Sequence, residues 1–219
     1  SILSKNQFPK NCVPVVYASY KNLENTKRHL SINCELRLIN SFLELEDSAI
    51  NVLDVDALGA TITYGKKDKA IGRLAYHCLA QAVKDLNGRN IDVLVTAPIN
   101  KETVQSKHFS FIGHTDYLNE NIEGSSVMMT VSDSLRVALL TEHLSLSKVT
   151  GFITEDLVES RTKSIHKTLQ LDFNIPEPKI AMLSIDPHAG DNGVIGNIDN
   201  MVLVPCIRYM RKEGIMVNG

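Results

Sequence analysis

The stretch Val93–Leu118, VLVTAPINKETVQSKHFSFIGHTDYL, decides how the chain is read. Ile91–Ala97 is an apolar, β-branched run of the length of a buried strand, and Pro98, Asn100 and Lys101 follow it at once. A second helix start, Gly113-His114-Thr115, comes soon after. A strand that runs straight into a helix start leaves a polar rim at its carboxyl end, and open α/β sheets bind their ligands there.

Asn100 is predicted to cap a helix whose first turn holds Lys101. The helix dipole already presents partial positive charge at that point, so a cation is disfavoured by a few tenths of a kcal/mol. A surface lysine can snorkel to solvent from such a position. The alternative is that its ammonium binds an anionic or carbonyl group, which makes Lys101 the candidate catalytic residue. In the second start, Thr115 can accept backbone N–H groups and Asp116 suits the dipole, whereas His114 does nothing for a cap. His114 is therefore a candidate substrate contact.

Working outward, Ile71, Leu74, Ala75, Cys78, Leu79, Ala82, Val83 and Leu86 form one apolar stripe at helical spacing, closed by Asn87-Gly88. That helix leads into the Ile91 strand, the order of a βαβ unit. Upstream, Val13–Ala18, Glu35–Ile39 and Ile50–Val55 read as strands around a helical Lys21–Leu30. Downstream, Val127–Val131 and Leu135–Thr141 read as a hairpin turning at Ser132-Asp133-Ser134, so the α/β architecture is mixed. A helix over Glu155–Leu171, a strand over Lys179–Ile185 and a helix over Asp199–Arg211 complete the series. At 219 residues the chain holds one large domain or two small ones.

The net charge is -2, the pI is about 6.4, and there is no basic run, which argues against nucleic acid and anionic membranes as partners. A small-molecule partner is favoured. Cys12, Cys34, Cys78 and Cys206 show no C-x-x-C pairing and read as reduced thiols of a cytoplasmic protein. No apolar run has the length of a membrane span, and Ser1–Lys10 lacks the apolar core of a signal peptide.

Several chemistries fail on motif grounds. There is no G-x-S-x-G nucleophile elbow and no Walker A sequence. Gly190, Gly193 and Gly196 are spaced G-x-x-G-x-x-G, which is not the dinucleotide fingerprint. Histidines remain. His143 and His188 each follow a predicted strand, and imidazole is the commonest ligand for zinc and its neighbours. A catalytic site of that kind normally needs three protein ligands; Asp186, Asp191 or Glu142 could complete the set, as could another segment or subunit. His29, His77, His108 and His166 read as hydrogen-bonded surface groups.

Four motifs, Thr96-Ala97-Pro98-Ile99-Asn100-Lys101, Gly113-His114-Thr115-Asp116-Tyr117-Leu118, Thr141-Glu142-His143-Leu144 and Pro187-His188-Ala189-Gly190-Asp191, resemble in order and spacing those of the 4-hydroxythreonine-4-phosphate dehydrogenase (PdxA) family. The likeness runs from about Gly72 to Gly214. It implies a three-layer mixed-sheet α/β fold like that of the isocitrate and isopropylmalate dehydrogenases, which bind NAD(P) without the usual glycine fingerprint. It implies two domains, here 1–110 and 111–219, both incomplete, and a homodimer with the active site in an interdomain cleft near the subunit interface.

The resemblance further implies a divalent metal (Zn, Mg or Co) on three histidines, two of them matching His143 and His188, with His114 and Thr115 on the substrate. The implied reaction is NAD- or NADP-dependent oxidation of 4-phosphooxy-L-threonine to a 3-oxo acid that decarboxylates to 3-amino-2-oxopropyl phosphate, in pyridoxal phosphate biosynthesis. Related alternatives are 4-phospho-threonate or 4-phospho-erythronate as substrate, or a non-catalytic ligand-binding relative. The family's pattern also has a Gly/Pro-rich opening segment and, beyond the position of Gly219, a third metal histidine with Lys, Asn and Arg substrate contacts. The expectation is that the functional polypeptide is longer and that Ser1–Gly219 alone is inactive and poorly soluble.

Overall fold

Val15–Ala18 (β1), Leu36–Ile39 (β2) and Ile50–Asp54 (β3) form a parallel sheet in the order β1-β3-β2, in a computed structural model that describes residues 11–219. The reading of Ser1–Lys10 lies outside the described residues. Parallel strands need crossovers: Tyr20–His29 (α1) connects β1 to β2, a connection containing the short turn Phe42–Glu44 joins β2 to β3, and Lys69–Asn87 (α2) follows β3. Each helix starts on a side-chain cap: Ser19 accepts from Asn22 N–H and Asp68 from Ala70 N–H. Gly88 closes α2, as its Asn-Gly signal predicts.

Two compact units result, the first ending at Gly124 and the second spanning Ser125–Gly219. Residue 110 falls inside the first unit because the helix His114–Asn121 (α3) shares its core. Tyr117 of α3 is buried with Leu79 and Val83 of α2 and with Val104 and Phe109.

The second unit contains an antiparallel hairpin of Met129–Val131 (β4) and Arg136–Ala138 (β5), with Ser132 N–H donating to Leu135 O across the turn. Leu146–Phe152 (α4) follows; its Val, Thr and Gly content hid it from a propensity reading. Glu155–Leu171 (α5) has the expected ends, capped by Thr154 Oγ1 on Leu157 N–H. Lys179–Ala181 (β6) pairs in parallel with Met216–Asn218 (β7).

The final helix is two pieces. Asp199–Leu203 is a wide π-type turn and Val204–Lys212 (α6) is regular. Pro205 has no N–H for the carbonyl one turn back, and widening the preceding turn is one way to absorb that. The core here gathers Ile153, Val158, Leu203 and Cys206, then Ile207, Met210, Ile215 and Val217.

Three expectations are corrected. Ile91–Ala97 is not a strand: no described strand pairs with it, and Val93 and Val95 are 75% and 87% exposed. Leu94 alone of the three packs on the first unit's core. A β-run without a backbone neighbour gains no ladder, whatever its side chains favour. Of the strand predicted over Lys179–Ile185, Lys179–Ala181 is strand, and Met182 N–H continues the pairing onto Asn218 O at 2.6 Å. Parallel and antiparallel pairings also occupy separate sheets among the described residues.

Candidate functional site

Asn100 caps as expected: its Oδ1 accepts from Glu102 N–H at 3.2 Å and Thr103 N–H at 3.0 Å. The helix it was expected to start closes after one turn, with Val104 N–H on Asn100 O at 3.1 Å. Tertiary packing stops it. Val104 is 2% exposed, and the backbone of Thr103 lies against Gly72 of α2. Lys101 therefore sits on an isolated turn, exposed and without an ion pair among the described residues. No helix dipole opposes its charge, so the argument for an anionic partner from that source falls away.

His114 and Thr115 open α3 behind an extended Gly113, and Asp116 lies in the first turn. No side chain caps this helix, so the capping role given to Thr115 is not realised. Both residues are half-buried, and burial holds the His114 imidazole below the usual histidine pKa. A neutral imidazole offers one donor and one acceptor beside the free N–H groups of a helix start.

The second unit carries His143 and His188. His143 follows β5 at a distance, in a bend, and His188 lies in the loop beyond β6; neither directly follows its strand. Both adopt left-handed backbone at φ 54°. Both are exposed, and neither has a hydrogen-bond or ion-pair partner among the described residues. The neighbouring Glu142 has one buried carboxylate oxygen, Oε2, without a partner. Two free imidazoles and an orphaned carboxylate oxygen are donor chemistry suited to a divalent cation. Among the described residues, however, no group of three His, Cys, Asp or Glu comes together.

The loop bearing His188 runs left-handed through Ala189 (φ 52°), Gly190 (78°), Asp191 (46°) and Asn192 (53°). Left-handed helical backbone costs about 1–2 kcal/mol for each residue that carries a Cβ, with Asp and Asn at the low end. Gly190 is required on a second count, since a Cβ there would lie 2.1 Å from Gly196 O. A residue that the sequence reading missed anchors this loop: Asp199, 2% exposed, accepts from Ile185 N–H and Asp186 N–H, each at 2.9 Å. Only the turn-rich composition of Asp186–Gly193 hinted at such a conformation; nothing local points to Asp199.

The other histidines are mixed. His29 and His108 are exposed and stack on Tyr64 and Tyr76. His77 is half-buried beside Tyr76, and His166 is half-buried with an unpartnered Nδ1, so neither is the hydrogen-bonded surface group expected. A cleft of about 900 Å³ in the first unit holds Asp54 and Asp85 with His77 and Lys84. None of the motif residues lines it, so the candidate site rests on the motif residues.

These features define a mixed α/β protein without the glycine fingerprint, with the fold of the 4-hydroxythreonine-4-phosphate dehydrogenases. Its structure matches the 4-hydroxythreonine-4-phosphate dehydrogenase of Burkholderia phymatum with a TM-score of 0.85 at 26% identity, over 100% of this chain and 68% of that one. A terephthalate 1,2-cis-dihydrodioldehydrogenase from Burkholderia xenovorans, at a TM-score of 0.66 and 21% identity, shares the fold.

The profile of the pyridoxal phosphate biosynthetic protein PdxA matches residues 10–219, and the chain belongs to the PdxA family. It is 33% identical over 210 residues to the 4-hydroxythreonine-4-phosphate dehydrogenase of Bacteroides thetaiotaomicron, covering 95% of this chain and 58% of that protein. It is 32% identical over 212 residues to a putative D-threonate 4-phosphate dehydrogenase of Oceanobacillus iheyensis, covering 94% and 63%. The chain thus spans about three fifths of these relatives. No described helix is long and apolar enough to cross a membrane.

Proposed function

We propose that the protein serves in pyridoxal 5'-phosphate biosynthesis by oxidising 4-phosphooxy-L-threonine with NAD or NADP. The 3-oxo acid formed loses carbon dioxide to leave 3-amino-2-oxopropyl phosphate. The supporting observation is membership of the PdxA family across residues 10–219, with His114, Thr115, His143 and His188 at the motif positions.

In this reading His143 and His188 supply two imidazole ligands to a divalent ion, Zn, Mg or Co. When bound, such an ion would supply Lewis acidity at the substrate's hydroxyl and a nicotinamide would supply the hydride acceptor. His114, kept neutral by partial burial, donates one N–H to a substrate oxygen and holds it by geometry more than by charge. The Thr115 hydroxyl adds a second polar contact, and backbone N–H groups at the start of α3 favour an anionic group. Lys101, unpaired, contributes a cation toward the phosphate or carboxylate. The protein is proposed to be a cytoplasmic homodimer acting on a phosphorylated small molecule, without nucleic acid or membrane partners.

The test is reduction of NAD and NADP, followed by absorbance, with 4-phosphooxy-L-threonine, 4-phospho-threonate and 4-phospho-erythronate side by side. Turnover dependent on divalent metal and selective for the amino acid supports the proposal. The Oceanobacillus relative motivates the rival outcome, preference for the amine-free acids. No turnover with any of the three would leave a ligand-binding role.

A further inference from the structure

Asp199 begins the wide turn before α6, and its carboxylate is spent on backbone. Oδ1 accepts from Ile185 N–H and Oδ2 from Asp186 N–H, both at 2.9 Å, and no cation pairs with it among the described residues. Ile185 and Asp186 lead directly into Pro187-His188. Asp186 in turn receives Ala189 N–H on its carbonyl at 3.1 Å, and its carboxylate lies so near Gly196 that a Cβ there would come within 1.9 Å. Ile195 N–H returns to Gly190 O at 3.1 Å. The left-handed run from His188 to Asn192 is thus gripped at its entrance by Asp199 and crossed at its exit by Gly196.

Residues with a Cβ leave the left-handed region when nothing holds them. The direction of the exposed His188 imidazole therefore depends on that grip, because no hydrogen bond of its own fixes the ring. We propose that Asp199 is a positioning residue for His188: by holding the two N–H groups ahead of the turn, it sets where the imidazole points. This rests on the reading that His188 ligates a divalent ion. A carboxylate suits the task since both its oxygens accept. In Asp199→Asn one oxygen becomes an NH2 that faces a backbone N–H, at almost unchanged volume.

The experiment measures Co2+ affinity of the whole protein by competition with a chromophoric chelator, alongside circular dichroism and thermal melting. Asp199→Asn is expected to weaken Co2+ binding by roughly 10- to 100-fold, the range seen when groups supporting a ligand are removed. Ala189→Gly removes a left-handed penalty and should change affinity little by itself, yet recover part of the loss when combined with Asp199→Asn. Should Asp199→Asn fail to fold, Gly196→Ala tests the same grip from the other side, by driving a methyl group into the Asp186 carboxylate, and it should also weaken Co2+ binding.

A lower melting temperature for a folded Asp199→Asn with unchanged Co2+ affinity, or purely additive behaviour in the pair with Ala189→Gly, would overturn the proposal. His188→Ala separates the two layers. If it binds Co2+ as wild type does, or if wild type binds none, the metal reading itself is wrong; if it loses Co2+ while Asp199→Asn keeps it, only the positioning role fails.

Discussion

Replacing Gly72 by Ala tests the packing that ends the Lys101 turn. Gly72 is buried within α2, and an added Cβ would lie 1.9 Å from Thr103 O, 2.3 Å from its carbonyl carbon and 2.8 Å from Val104 N. Ordinary contact begins near 3.4 Å, so helix and turn would have to part by about 1.5 Å. Every atom in the way is backbone, and none can swing aside as a side chain would. Overpacking of this kind costs about 1–3 kcal/mol. The gain in helix propensity from Gly to Ala returns about 1 kcal/mol.

A net loss of up to about 2 kcal/mol is expected, and for a chain of this size that lowers the melting temperature by up to roughly 8 °C. Gly151 in α4 is the internal control, because nothing lies within 4 Å of its missing Cβ. There the same substitution should stabilise by about 0.5–1 kcal/mol. Thermal unfolding of the two variants beside wild type decides the matter. If Gly72→Ala melts above wild type, as Gly151→Ala should, the close approach of Thr103 to α2 is not real.

His114→Asn should impair turnover while shifting the melting temperature little, since a half-buried rim histidine contributes few core contacts; an equal loss of stability and activity would assign His114 to the fold. Burial lowers the His114 pKa, so the unfolded chain takes up that proton first as the pH falls. Its contribution to stability is complete above about pH 6.5 and declines below it, toward the lower folded pKa; His114→Asn should flatten that limb of a melting-temperature profile. Thiol labelling near neutral pH should modify the exposed Cys12 quickly and leave Cys78 slow, because burial, with the Asp56 and Asp54 carboxylates, pushes Cys78 up to about 11; equal rates would contradict the burial of that helix face. With Leu43, Val95, Leu146 and Leu183 each more than four fifths exposed, Ser1–Gly219 expressed alone should self-associate, and a monodisperse monomer by light scattering would refute this.

Much of the chain was legible because the signals are local. α5 starts where a Thr154 cap dictates, and α2 follows from one apolar stripe between Asp68 and Gly88. The β4–β5 hairpin follows from its Ser132-Asp133-Ser134 turn, and the four family motifs are contiguous words in the sequence. What the sequence could not settle depends on partners distant along the chain. Val93 and Val95 carry strand-forming side chains, but a strand exists only where another backbone lies alongside, and none of the described strands does. Asn100 caps a turn that would extend were Thr103 not packed on Gly72. The residues of Asp186–Gly193 permit a left-handed path; the carboxylate of Asp199 and the passage of Gly196 across Gly190 impose it. Propensity and capping act within a few residues and can be read directly, whereas close approach and backbone pairing arise only when the folded chain brings remote segments together.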